Sequence, residues 1–209
     1  MDELRQRIQR AGGVGVHIVA VTKTFGLDAV LAAAAAGCDG IGENYAQELV
    51  AKLAGHDALP PVHFIGQLQT NKVKLVAPFV AVYETVDRAS LATTLAARVP
   101  GASVLVQVRP EGESASTAGK AGCTIDEAPA LVERCRELSL RPLGLMTIGP
   151  TTGGPQAARP GFRAVRALVD RLGLTVCSMG MTDDLEVAVD EGSTQVRVGS
   201  ALFGPRPPR

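Results

Sequence analysis

The sequence has no excess of either charge: 21 Lys and Arg residues balance 21 Asp and Glu residues, and the pI is about 6.8. A protein that tracks nucleic acid or lies on an anionic membrane needs a basic surplus, so neither partner is expected. Long apolar runs are also missing. Hydrophobic residues make up 46% of the chain, but polar residues interrupt them well short of the roughly 18 consecutive positions that a membrane span needs. The opening MDELRQRIQR is charged and helix-like, without the apolar stretch of a secretory signal. Cys38, Cys123, Cys135 and Cys177 are widely spread and form no CxxC pair. That spacing argues against zinc sites and disulfide scaffolds and for reduced, mostly buried thiols. These absences point to a soluble cytoplasmic protein, and 209 residues suffice for one well-cored domain but are few for two.

What is present is an alternation. Short β-branched runs are followed by Ala/Leu-rich stretches of helical periodicity, with Gly, Pro or Asp at the joins. The pattern predicts strands at 17–23, 39–42, 62–65, 80–83, 103–108, 142–148, 174–178 and 195–198. Helices are predicted at 27–37, 45–54, 69–76, 88–98, 125–138, 157–172, 182–191 and 200–203. LDAVLAAAAAG joins strong helix formers to a stop at Gly37, and TIDE offers Thr124 as an N-cap with Glu127 three residues later.

Eight strand–helix pairs in strict order argue for a parallel sheet, and eight is the number that closes a (β/α)8 barrel of the TIM type. The competing open, doubly wound sheet expects a GxGxxG after the first strand, whereas GGVGVH precedes it. The expected fold is therefore a single α/β barrel domain over 1–209, with a helical lead-in at 1–14 and a flexible tail at 205–209. RPEGESASTAGKAG (109–122) reads as a flexible excursion between the fifth strand and its helix.

In such barrels the reactive groups collect where strands end. The first strand ends on Lys23, and the second runs into Glu43, Asn44 and Tyr45. The third carries His63, and the sixth ends in GLMTIG. After the seventh, SMGMTDD places Ser178, Gly180 and Thr182 at a turn; after the eighth, VGSALFG places Gly199 and Ser200 at the start of a short helix. Paired loops of small residues with free backbone N–H groups suit a phosphate, although either loop alone reads more readily as a tight turn and cap. Arg197 stands between Val196 and Val198, so alternation puts it on the inner face if the valines meet the helices. Its other role is a buried ion pair with Glu43 or Asp87. The same alternation groups Lys23 with Val21 and Val19, and an inward lysine at a barrel mouth is partly desolvated, which favours the neutral amine. Lys23 taken alone is also what a strand surfacing into solvent would carry. An amine, an arginine and a phosphate cup together suit pyridoxal 5′-phosphate (PLP) held as a Schiff base. Asp183–Asp184 suits a helix first turn, and no His or Cys lies at ligand spacing, so no metal is expected.

At VAVTKT, GENYAQE, HFIGQLQTNK, VDR, LGLMTIG, SMGMTDD and STQVRVGSALFG the chain closely resembles the pyridoxal phosphate homeostasis protein family, from about residue 17 to 204. The resemblance implies a one-domain barrel related to the N-terminal domain of bacterial alanine racemases, PLP on Lys23, and a role in holding and distributing the reactive cofactor. It implies that Asn44, Met146, Ser178, Arg197, Gly199 and Ser200 surround the ring or the phosphate. Gly180, among the small residues of the two strand-end loops, is expected with them. PLP-dependent apoenzymes are the expected recipients of PLP, and a monomer is the expected state. Departures are Glu84, where a histidine is common, and Arg109, where an asparagine often follows. Thr182 and Ser200 have their hydroxyl types exchanged, and 111–122 diverges most.

Two other classes compete with a carrier. An amino-acid racemase needs an acid–base group on each face of its substrate. Lys23 serves one face, and Tyr45, Tyr83 and His63 are the candidates for the other, since the second domain that supplies it in related racemases is not expected here. A Schiff-base aldolase acting on a sugar phosphate also needs a barrel lysine and a phosphate cup, but places its lysine more naturally on a middle strand among carboxylates.

Overall fold

The computed structural model describes residues 1–57, 59–110 and 121–204. Helix α1 (Asp2–Arg10) leads into β1 (His17–Val21), α2 (Leu27–Ala35), β2 (Gly40–Glu43) and α3 (Ala46–Leu53). Then follow β3 (Val62–Phe64), a 3-10 turn (Thr70–Lys72) continued by α4 (Val73–Val76), β4 (Val80–Val86), α5 (Ala89–Arg98) and β5 (Ser103–Arg109). After β6 (Cys123–Thr124) come α6 (Ala128–Glu137), β7 (Arg141–Met146), a 3-10 turn (Pro155–Ala158) and α7 (Arg159–Arg171). The chain closes with β8 (Val176–Ser178), α8 (Leu185–Asp190), β9 (Gln195–Val198) and α9 (Ser200–Phe203).

All strand pairs are parallel, and β1 pairs with both β2 and β9 while β4 pairs with β5, so eight strands close into a barrel. The two-residue β6 sits outside the ring, paired only with the end of β5. The expected barrel is what the chain forms.

Period-two alternation divides each strand between two environments. Val104, Val106 and Val108 of β5 and Leu145 of β7 pack outward into the apolar layer beneath the helices, as do Val196 and Val198 of β9 against Leu4, Ile8 and Leu185. The opposite face holds Val19, Leu105, Gln107, Ser178, Gln195 and Arg197, all buried. The barrel interior is thus markedly polar, and buried polar groups need partners. Glycines make the room: a Cβ on Gly42 would lie 2.9 Å from Ile65 Cδ1 and 3.2 Å from Val19 Cγ1.

Helix ends follow their local chemistry. Gly37 takes φ 73 after α2, and the Cys38 N–H reaches back to Ala33 O at 3.0 Å. Glu127 Oε2 accepts the Thr124 N–H at 2.8 Å and the Glu127 N–H donates to Thr124 Oγ1 at 3.2 Å, the reciprocal bonds of a capping box. That box closes a turn, so α6 begins at Ala128, three residues later than 125. The helix expected from 182 begins at Leu185, because the Asp184 carboxylate accepts the Met181 N–H at 2.6 Å and ties 181–184 into a turn. Strand β4 runs to Val86, past the expected end at 83, after a register shift that pairs Val86 with Val106. Of the excursion expected at 109–122, residues 111–120 lie outside the described residues, as does the tail expected at 205–209. The four cysteines are free, three of them buried.

Candidate cofactor-binding site

A pocket of about 280 Å³ opens at the C-terminal ends of the strands. Val21, Lys23 and Phe25 reach it from the end of β1, Asn44 from β2, Ile65 from β3 and Ile148 from β7. Met181, Thr182 and Asp183 come from the loop after β8, and Arg197, Gly199, Ser200 and Gly204 from β9 and α9. The volume lies just below the roughly 300–1,000 Å³ typical of small-molecule sites, which suits one compact ligand.

Five of the eight residues singled out in the sequence, Lys23, Asn44, Arg197, Gly199 and Ser200, line this pocket. Met146, Ser178 and Gly180 are not among its lining residues. Ser178 lies beneath Arg197: Nη1 of Arg197 donates to Ser178 O at 2.8 Å and to Ser178 Oγ at 2.7 Å, while Nη2 donates to Thr147 O at 2.8 Å. Gly180 shapes the loop, with φ 95 and its carbonyl accepting the Arg197 N–H at 3.0 Å. Met146 is fully buried at the end of β7.

Arg197 points inward as alternation requires, but its partners are not those weighed in the sequence. Glu43 is bound to Lys52 Nζ at 2.6 Å and Asp87 to Arg88 at 2.5 Å. The carboxylate nearest in role is Glu84, fully buried, which accepts from His63 Nδ1 at 2.6 Å, Ser178 Oγ at 2.7 Å and Gln195 Nε2 at 2.7 Å. Burial alone would raise Glu84, but the His63 hydrogen bond and the charges of His63 and Arg197 hold it below the ordinary glutamate value. Burial pulls Arg197 down, against the charges of Glu84 and Asp184. A guanidinium stays protonated at any physiological pH, so the pocket floor is cationic.

At the rim, Thr182 Oγ1 accepts from Ser200 Oγ at 3.0 Å and from the Ala201 N–H at 3.4 Å, joining the loops after β8 and β9. Small hydroxyl residues thus converge from both loops that the sequence marked. The racemase candidates do not converge. Tyr83 lies in the outer apolar layer, His63 is bound to Glu84, and Tyr45 is 42% exposed; none of them lines the pocket.

The sequence reading missed the apolar walls Phe25, Ile65, Ile148 and Met181, and a buried cluster of Lys52, Glu43 and Glu48 behind Lys23. Ile65 and Ile148 follow strand ends, which was the available signal; the Lys52 cluster gave none. Among the described residues no group of His, Cys, Asp or Glu is arranged to hold a metal. No described helix is long and apolar enough to cross a membrane.

Residues 1–207 match the family described as alanine racemase, N-terminal domain. The pyridoxal phosphate homeostasis protein of Pseudomonas aeruginosa is 41% identical, covering 97% of this chain and 91% of its own. A solved structure of an unknown protein from Bifidobacterium adolescentis superposes with TM-score 0.86 at 34% identity, over 97% of this chain and 90% of that one. PipY of Synechococcus elongatus, solved with PLP bound, superposes with TM-score 0.80 at 28% identity, over 96% of this chain and all of that one. By sequence over nearly its whole length and by fold, the chain belongs to the pyridoxal phosphate homeostasis protein family.

Proposed function

We propose that this protein binds PLP in the barrel-mouth pocket as a Schiff base on Lys23 and acts in intracellular PLP homeostasis, holding the cofactor without turning over a substrate. The observation that carries this reading is the meeting of Lys23, Arg197 and the Gly199–Ser200 turn in one pocket of about 280 Å³. The PLP-bound PipY structure and the names of the curated relatives support it.

The residues present fit the cofactor. Asn44 Oδ1 is buried and has no hydrogen-bond partner among the described residues, as expected of a group that awaits a ligand. Three of the five N–H donors of Arg197 are engaged by Ser178 and Thr147, which leaves the others for an acceptor. Arg197 lines the pocket; facing the pyridine nitrogen of bound PLP, its permanent positive charge would disfavour ring protonation and weaken the ring as an electron sink. Thr182, Gly199 and Ser200 offer hydroxyl and backbone donors to the phosphate. When bound, PLP supplies an aldehyde carbon to which a lysine amine adds with loss of one water. Val21, Phe25 and Ile65 line the same pocket as that amine and give it apolar walls.

Substrate turnover has little to work with here. The three candidates for a second acid–base group lie off the pocket, and a small cavity filled by a cofactor has scant room for an amino acid. PLP-dependent apoenzymes are then the natural recipients, served by a monomeric cytoplasmic carrier. Purified protein incubated with PLP should show Schiff-base absorbance, and borohydride reduction with peptide mapping should place the label on Lys23. Lys23→Ala should lose both. A protein that takes up no PLP would end this reading, and racemisation or decarboxylation of amino acids at about 1 s⁻¹ or faster would replace the carrier with an enzyme.

A further inference from the structure

We infer that Lys52, acting with Glu48, is a positioning residue that aims Lys23 from the opposite face of the strand; the inference rests on Lys23 being the PLP-binding lysine. The alternation that turns Val19, Val21 and Lys23 toward the barrel interior turns Ile18, Ala20 and Thr22 toward the helices. Lys52, on helix α3, reaches that outer side with its side chain. The Lys52 side chain is 4% exposed, which is costly for an ammonium unless every proton is matched.

The matching is complete, and its pattern is the point. Nζ donates to Glu43 Oε1 at 2.6 Å, Glu48 Oε1 at 3.0 Å and the Thr22 carbonyl at 2.8 Å, the three donors a lysine has. Glu48 Oε1 also accepts the Thr24 N–H at 2.5 Å, and Thr22 Oγ1 donates to Glu43 Oε1 at 2.6 Å. The Thr22 carbonyl belongs to the peptide group before Lys23, and the Thr24 N–H to the peptide group after it. The Lys52–Glu48 ion pair therefore holds both peptide planes that meet at the Lys23 Cα, and these planes fix the direction in which its side chain leaves the backbone.

The backbone there does not rest in a relaxed state. Thr24 has φ 70, a left-handed conformation that a β-branched residue adopts only when its surroundings impose it. Its N–H is the group that Glu48 holds. The cluster thus has a task besides stability: it keeps a strained turn in place directly after the lysine, so that the amine stands in the pocket before any ligand arrives. Pre-positioning of this kind acts on the bond-forming step, where a displacement of about 1 Å costs up to about 100-fold.

The test compares PLP with pyridoxine 5′-phosphate, which has the same ring and phosphate but no aldehyde. Full-length wild type, Lys52→Met, Glu48→Ala and Glu48→Gln are each examined for the rate of Schiff-base absorbance with PLP, the Kd of pyridoxine 5′-phosphate and the melting temperature of the ligand-free chain. Lys52→Met and Glu48→Ala should slow PLP capture by about 10- to 100-fold while the pyridoxine 5′-phosphate Kd stays within about threefold. Glu48→Gln keeps an accepting oxygen and should stay near wild type. Glu48 is partly exposed (28%), so Glu48→Ala remains informative if Lys52→Met fails to fold. Capture at the wild-type rate in Glu48→Ala, or weakening of both ligands in step, would overturn positioning, as would equal losses in Glu48→Gln and Glu48→Ala. A wild-type chain that binds neither ligand would instead remove the PLP reading, and this inference with it.

Discussion

Ser178 and Glu84, 94 positions apart in sequence, are joined inside the barrel by a hydrogen bond of 2.7 Å from the serine hydroxyl to the carboxylate. The same hydroxyl accepts from Arg197 Nη1 at 2.7 Å and from Gln195 Nε2 at 2.9 Å. Serine here connects a buried anion to a buried cation that do not touch directly. The negative charge on Glu84 offsets the guanidinium beneath the pocket floor, and the hydroxyl keeps that guanidinium in one orientation.

The first expected outcome concerns Glu84 itself. Its two oxygens accept three hydrogen bonds, from His63, Ser178 and Gln195, whereas a neutral imidazole offers one accepting nitrogen. Glu84→His should therefore destabilise this chain by about 3 kcal/mol or more, since it strands buried donors and removes one of the two carboxylate charges that act on Arg197. Urea titration should show a lower midpoint with an unchanged slope. An unchanged midpoint would mean that the network reorganises around the new ring.

Acid should act through the same carboxylate. Glu84 is held below the ordinary glutamate value by His63, Arg197 and Ser178. Its contribution is complete above the unfolded-state value, near pH 4 to 5, and is lost as pH falls from there through the folded-state value. Glu43 is shifted the other way by burial. Its contribution is complete below the unfolded-state value and is lost as pH rises through the folded-state one. Stability measured against pH should thus lose its steep acid limb in Glu84→Gln, whereas Glu43→Gln should alter the slope only above about pH 4 to 5. The same acid limb in wild type and Glu84→Gln would show that another group carries it.

Two glycines in the two rim loops should respond differently to the same methyl group. A Cβ on Gly180 would lie 2.5 Å from Ala188 Cβ at a backbone φ of 95. Gly180→Ala should cost about 2–3 kcal/mol, read as a drop in melting temperature. A Cβ on Gly199 would meet Val21 at an ordinary 3.4 Å with an unstrained φ of −118. Gly199→Ala should fold within about 1 kcal/mol of wild type, yet weaken PLP binding about tenfold because Gly199 lines the pocket. Equal affinity for PLP in Gly199→Ala and wild type would move the phosphate elsewhere.

These contrasts also show what the sequence made legible. The inward direction of Arg197 followed from two flanking valines because β9 is regular, and the end of α2 followed from Gly37. Glu84 was not legible as a partner, because β4 shifts register between Tyr83 and Val86 and simple alternation does not carry through it. Lys52 was hidden for a different reason: two of its links end on backbone or pass through it, and a carbonyl or N–H has no residue type to read. Ser178 and Gly180 stood out in the right loop, but their atoms serve Arg197 and the turn, not the pocket wall, a distinction that spacing does not encode.

Tyr83 gives the last test, because it separates the outer layer from the pocket. Its side chain is 1% exposed in the apolar layer beneath the helices, and its hydroxyl has no hydrogen-bond partner among the described residues. Burial pushes the phenol up to about 12, so it is no base at neutral pH. An unmatched buried hydroxyl costs about 1–3 kcal/mol, and phenylalanine has the same ring without that group. Tyr83→Phe should therefore raise stability by about 1 kcal/mol, or about 2–4 °C in melting temperature for a chain of this size. PLP capture should be unchanged, since Tyr83 does not line the pocket. A loss of PLP binding on removing this single oxygen would make Tyr83 part of the site and reopen the racemase reading.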